Sequence, residues 1–300
     1  AYYWRIYNPA TTIPAYGDVL ESLWGIDWLL QTIRSGSGSL LFNPSVFMPE
    51  GWSSITFAHG PGIFLLATPL AALTNAAVAF NAIQLASFLI AYTGAYRLGR
   101  LVAGLTAAVL MALLYLLWGG RWIRLTGQLN ILLGSALLPW LLFCLERVVT
   151  TRRWRWWAVA AGFFWAIPIS LSLYFIWIGF FAVGAWLLGA AVSRRVSVTG
   201  ALLRLATVGA VALLLCAPYL WLYWRHQADV VAYDIRHVDA WSMSLDRLVA
   251  LLPDHPIPSL QRLALWQTGN TRSEATFSGL GILLPALALF GLAATQRRKR

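Results

Sequence analysis

Charge is scarce in this sequence. Charged residues make up 11% of its 300 residues and hydrophobic residues 59%, whereas a soluble domain normally carries about 25% charged residues. The composition therefore excludes an ordinary soluble domain. Long apolar runs fill most of the chain, and helices that cross a membrane satisfy their own backbone hydrogen bonds. We predict an all-α fold, a polytopic transmembrane helix bundle of about seven spans, whose outward loops carry short horizontal helices.

Cysteine and ligand-binding motifs are also scarce. The two cysteines, Cys144 and Cys216, lie inside apolar runs, which is typical of buried and unreactive thiols, and no metal-ligand spacing occurs. The sequence contains no phosphate-binding loop and no dinucleotide fingerprint. The net charge of +11 does not indicate nucleic acid, because the arginines gather at the ends of apolar runs, where they mark membrane topology.

The beginning of the sequence shows no signal-peptide pattern. The sequence begins at Ala1, and no basic segment precedes an apolar one near this end, as it would in a signal peptide. We expect a fragment or a processed chain. Residues 1–60 contain no membrane-length apolar run but several turn signals, such as Asn43 before Pro44 and Gly60 before Pro61.

The order of apolar runs predicts four regions. Residues 1–76 form an outward first loop with an acidic motif and horizontal helices, one of them over 62–73. Residues 225–277 form a second outward polar segment, and residues 278–300 hold the last span, over 279–294, and a basic cytoplasmic end. Between these lies the transmembrane bundle of residues 77–224. Its spans are predicted over 77–98, 101–119, 132–149 and 202–224, with a hairpin of two short spans within 156–188.

Charge asymmetry orients the predicted bundle. If successive spans alternate in direction, one side receives 13 of the 22 basic residues and a single acid, Glu146. The other side receives nine arginines and ten acids. The positive-inside rule puts the first side in the cytoplasm. We therefore predict a multi-pass protein of a bacterial-type cell membrane with both polar segments outside.

One stretch before the first apolar run, residues 16–24, carries two carboxylates. At about 100° per residue, a helix that starts after Gly17 puts the polar positions in two opposite sectors, one with Asp18, Glu21, Ser22 and Gly25 and the other with Asp27, Gln31 and Arg34. Two polar stripes indicate that one faces water and the other a polar cavity. We assign Asp18 to the cavity and to its chemistry. Spacing alone also allows an ordinary solvated carboxylate.

A series of motifs resembles one family. In chain order it comprises Gly17-Asp18 with Glu21, Leu41-Phe42-Asn43-Pro44, Pro49-Glu50-Gly51, His59-Gly60-Pro61, Asn81, Tyr96-Arg97-Leu98-Gly99-Arg100, Gly127-Gln128-Leu129-Asn130, Leu138-Pro139-Trp140 and Glu274 before Gly279-Leu280-Gly281. The series resembles the integral-membrane glycosyltransferases of the GT-C fold, in the group of polyprenyl-phosphate-sugar-dependent, mannosyltransferase-like and YfhO-like proteins. The resemblance covers most of the chain. That fold has a span before its first outward loop, so the missing span again implies a truncated chain.

The resemblance implies that a sugar moves, with inversion, from a polyprenyl-phosphate donor to an acceptor hydroxyl on the outer face. The essential Asp of the family's first outward loop matches Asp18 by position, and a carboxylate can act as general base toward a hydroxyl. Glu21, one turn on, then orients the acceptor, raises the pKa of its neighbour or helps to hold a divalent cation. No other cofactor is implied, and no residue is assigned as a metal ligand.

The leaving lipid phosphate needs positive charge at the outer membrane boundary, where arginine offers bidentate contacts. The substrate-binding candidates are His59, Arg121, Arg124, Arg225, Gln128 and Asn130, the last two for sugar hydroxyls. The alternatives stay open. An arginine also extends to lipid headgroups, His59 also serves as a turn contact, and Gln128 or Asn130 also caps a helix.

Two other function classes remain, a transporter or flippase of lipid-linked sugars and a non-catalytic membrane scaffold. Transporters usually carry charges within their spans and show internal repeats. The predicted spans are nearly free of ionisable groups, which favours the transferase. The expected partners are a polyprenyl-phosphate-linked sugar, membrane lipid and an acceptor glycan, lipid or protein, with no nucleic acid.

Overall fold

The computed structural model describes residues 13, 19–43, 51–53, 60–117, 121 and 128–226. The chain divides into two compact units, one of residues 1–116 and 124–230 and the other of residues 117–123 and 231–300. Of the second unit, only Leu117 and Arg121 are among the described residues.

Eight helices and one small antiparallel ladder make up the described part of the chain, which is therefore an all-α bundle as predicted. The elements are α1 (Val19–Ser35), β1 (Phe42–Asn43), β2 (Trp52–Ser53), α2 (Pro61–Leu73), α3 (Ala76–Ala103), α4 (Leu105–Leu117), α5 (Leu129–Thr150), α6 (Trp154–Leu171), α7 (Tyr174–Val192) and α8 (Val198–Arg225). In the ladder, Phe42 lies opposite Ser53, and Asn43 lies opposite Trp52.

Four of these helices, α3, α5, α7 and α8, are long and apolar enough to cross a membrane. With 22 residues, α5 is about 33 Å long, which matches a hydrocarbon core of about 30 Å. The described helix in the predicted span 101–119 starts later than expected, at Leu105. Gly104 has a φ of 90°, a conformation that ends α3 before α4 begins. The predicted last span lies outside the described residues.

Two local predictions from turn signals are confirmed. The short apolar helix is α2, which begins with Pro61 at a position where proline costs no hydrogen bond. Asn75 then starts α3, because its Oδ1 accepts a hydrogen bond from the Val78 amide at 2.9 Å. The segment predicted as a hairpin of two short spans folds as α6 and α7, joined through Ser172 and Leu173. Of these two helices, α7 is long and apolar enough to cross a membrane, and α6 is not.

Helix α5 is the centre of the bundle. Of the 18 residues that form its apolar segment, 78% are buried. The buried share of the corresponding segment is 39% in α3, 28% in α7 and 22% in α8. It packs on α3, α6 and α7. Its neighbours approach closely through glycine, since Gly94 of α3 lies against Trp140, and Gly134 of α5 lies against Phe175.

Side-chain pairs along the helices show their directions. The Trp140 indole donates to the Ile90 carbonyl at 3.0 Å, and Gly134 lies against Phe175, so α3, α5 and α7 run the same way. Helices α6 and α8 run the opposite way, because Phe143 contacts Trp157 and the Cys216 thiol lies 3.3 Å from the Ala166 carbonyl oxygen. The carboxyl ends of α3, α5 and α7 therefore meet the amino ends of α6 and α8.

The described residues form two hydrophobic cores, and the larger one runs from this meeting point along the helices as far as Ile169, Phe175 and Cys216. The core at this meeting point includes Leu98, Val148, Ala158, Ala190 and Ala201. We call this the arginine end, because it carries Arg97, Arg100, Arg147, Arg152, Arg153, Arg155, Arg194, Arg195 and Arg204 with a single acid, Glu146. The other core joins α1 and α2 to the amino ends of α3 and α5 through residues such as Val19, Ile63, Phe80 and Leu132. We call this the acidic end.

An ion pair ties α5 to the end of α7. Arg195 donates from Nη2 to Oε1 of Glu146. The two partners differ in burial, because 41% of the Arg195 side chain is exposed but only 9% of the Glu146 side chain. A charge left unpaired in a buried place costs more than one that water can reach.

Removal of the two partners should therefore have unequal effects. Arg195→Gln leaves the buried Glu146 carboxylate without its cation and should lower the free energy of unfolding by about 3 kcal/mol. Glu146→Gln leaves only the more exposed guanidinium and should cost about 1 kcal/mol or less. Unfolding of the purified protein in detergent, followed by tryptophan fluorescence, measures both. Equal losses would contradict this account of the pair.

Two glycines of α7 provide a second test. A Cβ at Gly179 would overlap the indole of Trp165, which is itself held by a 2.8 Å hydrogen bond to the Phe175 carbonyl. Gly179→Ala should thus destabilise the protein by about 1–3 kcal/mol through overpacking. Gly184 lies on the same helix with nothing within 4 Å of such a Cβ. Gly184→Ala is the matched control and should be neutral or slightly stabilising in the same unfolding assay.

Candidate functional site at the acidic end

Helix α1 carries the acidic motif, and its described residues confirm the two polar sectors. Ser22 and Gly25 are buried, whereas Asp27, Gln31 and Arg34 are exposed. On the exposed side, the Gln31 amide donates to Asp27 Oδ2 at 2.6 Å. One sector therefore faces the protein and the other faces outward, as the spacing predicted.

The inward sector of α1 packs directly on α2. A Cβ at Gly25 would overlap the ring of Phe64, so glycine is what lets the two backbones come this close. Farther along, Arg34 donates to the Ala72 carbonyl at 3.1 Å, and the two helices run in parallel. Around Gly25 the predicted polar cavity is thus filled by an aromatic ring.

The glutamate of the motif lies between the exposed and buried faces. Glu21 is half-buried, and its Oε1 atom is shielded from solvent. Its neighbour Val19, the first residue of α1, is wholly buried in the acidic-end core. The Glu21 carboxylate is therefore held at the boundary between protein and surroundings and does not extend freely into water.

Ser22 has the most unusual environment on this helix. Its side chain is 0% exposed, and its hydroxyl has no hydrogen-bond partner in the described part of the chain. A buried hydroxyl without a partner costs about 1–3 kcal/mol. The signal in the sequence that could have indicated this burial is the position of Ser22, one residue after Glu21 in the inward sector.

Two polar side chains at the start of α5 belong to the same end of the bundle. Asn130 is buried, with 2% exposure, next to Leu129 and Leu132 of the acidic-end core. Gln128 occupies the N-cap position, but its side chain makes no capping hydrogen bond. Capping is thus excluded for Gln128, and Asn130 lies inside the helix, where it is not a cap either.

The two described arginine candidates, Arg121 and Arg225, differ in burial. Arg121 is 1% exposed, and this burial contradicts the alternative of a headgroup contact. A guanidinium at such a site must be hydrogen-bonded. Arg225 is exposed and stacks on Trp221 of its own helix, with 4.7 Å from Cζ to the ring centroid. That arrangement is typical of an interfacial anchor.

Three predicted site residues, Asp18, His59 and Arg124, lie outside the described residues. Their neighbours in sequence are described in part. Val19 after Asp18 is buried, and Gly60 after His59 donates its amide to the Leu171 carbonyl at 2.8 Å. The sequence positions before α1 and α2 therefore both adjoin segments that are held in the acidic end.

Helix α3 contributes two buried polar residues that were not among the predicted site residues. Gln84 is 6% exposed and Ser87 0% exposed, and the Ser87 hydroxyl donates to the Gln84 carbonyl at 2.7 Å. With Asn81 they recur every three residues, which puts all three near one helix face. That spacing was the available signal, but single polar residues in a long apolar run are easily overlooked.

The described residues contain no group of three or more His, Cys, Asp or Glu side chains that could hold a metal ion. A divalent cation at Glu21 would therefore need further oxygen ligands from substrate, water or residues outside the described part. A role of Glu21 with a cation remains a prediction.

No family model, no curated protein and no solved structure matches this chain.

Two buried serines offer a test of whether Ser22 serves stability. Ser22→Ala removes a buried hydroxyl without a partner and should leave the free energy of unfolding unchanged or raise it by about 1 kcal/mol. Ser87→Ala removes a bonded hydroxyl of equal burial and should lower it by about 1 kcal/mol. Thermal unfolding in detergent compares the two. A loss at Ser22 as large as that at Ser87 would show that its hydroxyl is satisfied.

Proposed function

We propose that this protein is a membrane glycosyltransferase of the GT-C type. It transfers a sugar from a polyprenyl-phosphate donor to an acceptor hydroxyl, with inversion and with Asp18 as general base. The proposal rests first on the motif series that begins at Asp18. One observation of the fold supports it above the others: α1, which follows Asp18 directly, has a buried inward face at the end of the bundle opposite nine arginines.

Charge distribution supports an outer location for this site. Arginine-rich ends of membrane proteins favour the cytoplasm, so the acidic end would face outward. Lipid-linked sugars are used on that face without any nucleotide, which agrees with the lack of a phosphate-binding loop.

The proposed step needs few groups. Asp18 accepts the proton of the acceptor hydroxyl while the hydroxyl oxygen bonds to C1 of the sugar from the side opposite the phosphate. The bond between C1 and the phosphate oxygen breaks, and its electron pair leaves with the lipid phosphate. Glu21, half-buried one turn from Asp18, orients the acceptor. A cation, proposed here as Arg124 or His59, balances the leaving phosphate.

Polar groups near the amino end of α5 suit the sugar. Asn130 is buried at the acidic end, and Gln128 does not cap the helix. Amide side chains offer both a donor and an acceptor, the combination that sugar hydroxyls require. We propose these two residues as contacts to the donor sugar.

The direct test is Asp18→Asn. Loss of the general base should lower the transfer rate about 100-fold or more, while thermal unfolding stays unchanged. The assay follows a radiolabelled hexose or pentose from polyprenyl-phosphate donors to lipid and polysaccharide acceptors in proteoliposomes. Transfer at the original rate by a folded Asp18→Asn protein would remove this residue from the mechanism.

Asp27→Asn is the matched control. It makes the same chemical change on the same helix, but Asp27 is exposed in the outward sector and bonded to Gln31. Transfer should remain within about twofold, since only an exposed pair is lost. If both variants lost activity equally, general charge at this end would explain the effect better than a specific base.

A transporter of lipid-linked sugars is the second candidate, and one observation favours it. Buried polar residues within a membrane-length helix, here Gln84 and Ser87 of α3, often mark a translocation path. The same proteoliposomes distinguish the two functions, because a flippase moves labelled donor between leaflets without any acceptor. Movement without transfer would favour the transporter.

A further inference from the structure

The arginine end contains a cluster of guanidinium groups on aromatic rings. It lies where the carboxyl end of α5 meets the amino ends of α6 and α8. We call it the arginine–tryptophan seam and define it as Arg147, Trp154, Arg155, Trp157 and Arg204. It lies at the opposite end of the bundle from α1 and does not depend on the proposed function.

Two arginines share one ring. Arg155 and Arg204 have their Cζ atoms 5.8 Å and 5.5 Å from the ring centroid of Trp154. Arg204 also lies with Nη1 3.5 Å from the Val149 carbonyl oxygen, and this contact ties α8 to α5. Two like charges at one ring repel each other, so an anion between them would be stabilising.

A third arginine adjoins this pair. Arg147 has its Cζ atom 5.8 Å from the centroid of Trp157 and 5.6 Å from that of Phe143. Its Nε atom is buried and has no hydrogen-bond partner among the described residues. These two aromatic contacts restrain the guanidinium, which lowers the entropy lost when it binds a ligand.

No carboxylate among the described residues neutralises the seam. Among the described residues at this end the acid is Glu146, and it is paired with Arg195. The seam therefore keeps three positive charges. The first turn of α6 adds to them, because its amide groups point toward the same end and receive no side-chain cap from Arg153.

A shallow, open apolar groove lies along α8 and begins one turn after Arg204. It has a volume of about 400 Å³ and is lined by Ala206, Thr207, Ala210, Val211 and Leu214. Thr207 and Val211 follow Arg204 by three and seven residues, so all three share one side of the helix. Small side chains at 206 and 210 leave room for a hydrocarbon chain, and the adjoining Leu214 is 74% exposed.

We propose that the seam binds the phosphate of one anionic phospholipid and that the groove on α8 receives one of its acyl chains. The charge excludes a preference for zwitterionic lipid, because three guanidiniums without a carboxylate favour a headgroup with net negative charge. The groove favours a lipid over free phosphate, because it adds apolar contact area next to the charges.

The test titrates the purified protein, in an uncharged maltoside detergent, with dioleoylphosphatidylglycerol. Native mass spectrometry counts the lipids bound to each chain. One phosphatidylglycerol should bind tightly, and phosphatidylcholine should bind roughly tenfold more weakly or worse. Equal binding of the two lipids would overturn the proposal. So would displacement of the lipid by an equal concentration of inorganic phosphate, since the site would then take free phosphate.

Two double variants with the same loss of charge separate the seam from the general charge of this end. Arg147→Gln with Arg204→Gln should weaken phosphatidylglycerol binding roughly tenfold or more. Arg100→Gln with Arg194→Gln is the control. Both of these arginines are exposed, and neither side chain makes a hydrogen bond, ion pair or ring contact within the described part of the chain. The control should bind within about twofold of the unchanged protein.

Equal weakening in both double variants would show that only total charge matters and would overturn the proposal. If the double variant Arg147→Gln with Arg204→Gln does not fold, the single variant Arg155→Gln provides the measurement. Arg155 is exposed, and its loss removes one guanidinium from the Trp154 ring with little change in packing. It should weaken binding roughly fivefold, and unchanged binding by this folded variant would also overturn the proposal.

Discussion

The packing of α5 against its three neighbours is the interaction on which the described fold depends. Its amino end belongs to the acidic-end core and its carboxyl end to the arginine-end core. Helix–helix contact in an apolar solvent draws on close packing, because lipid is as apolar as the side chains themselves. The glycines that admit Trp140 and Phe175 supply that closeness. Any change that moves α5 would therefore disturb both ends together.

Polar chemistry is divided between these two ends. The acidic end combines a half-buried carboxylate, a buried serine hydroxyl and a buried asparagine, all near helix starts. The arginine end holds its charges on aromatic rings and pairs one of them with Glu146. Such separation gives a membrane protein two unlike surfaces. One carries the residues of the proposed sugar transfer, and the other carries the proposed lipid site.

Local signals in the sequence predicted much of this architecture. Proline before an apolar run started α2, and the two sectors of α1 followed from spacing alone. Tertiary features could not be predicted from the sequence, for physical reasons. The Glu146 pair joins residues 49 positions apart, and no periodicity reports such a contact. Gly104 ended α3 before α4 because its positive φ stops a helix, which an apolar composition alone does not show. The burial of Arg121 likewise depends on surroundings that spacing does not encode.

The connections between helices have a practical consequence. Helices α6 and α7 are joined by only Ser172 and Leu173, and Ser172 is 2% exposed, so an inserted epitope there would separate two packed helices. The turn from Ser193 to Ser197 is mostly exposed and lies beside the arginine end. A short tag placed in it would be accessible to an antibody from one side of the membrane only. Because α3, α5, α6, α7 and α8 are fixed relative to one another, that single labelling result would orient all five.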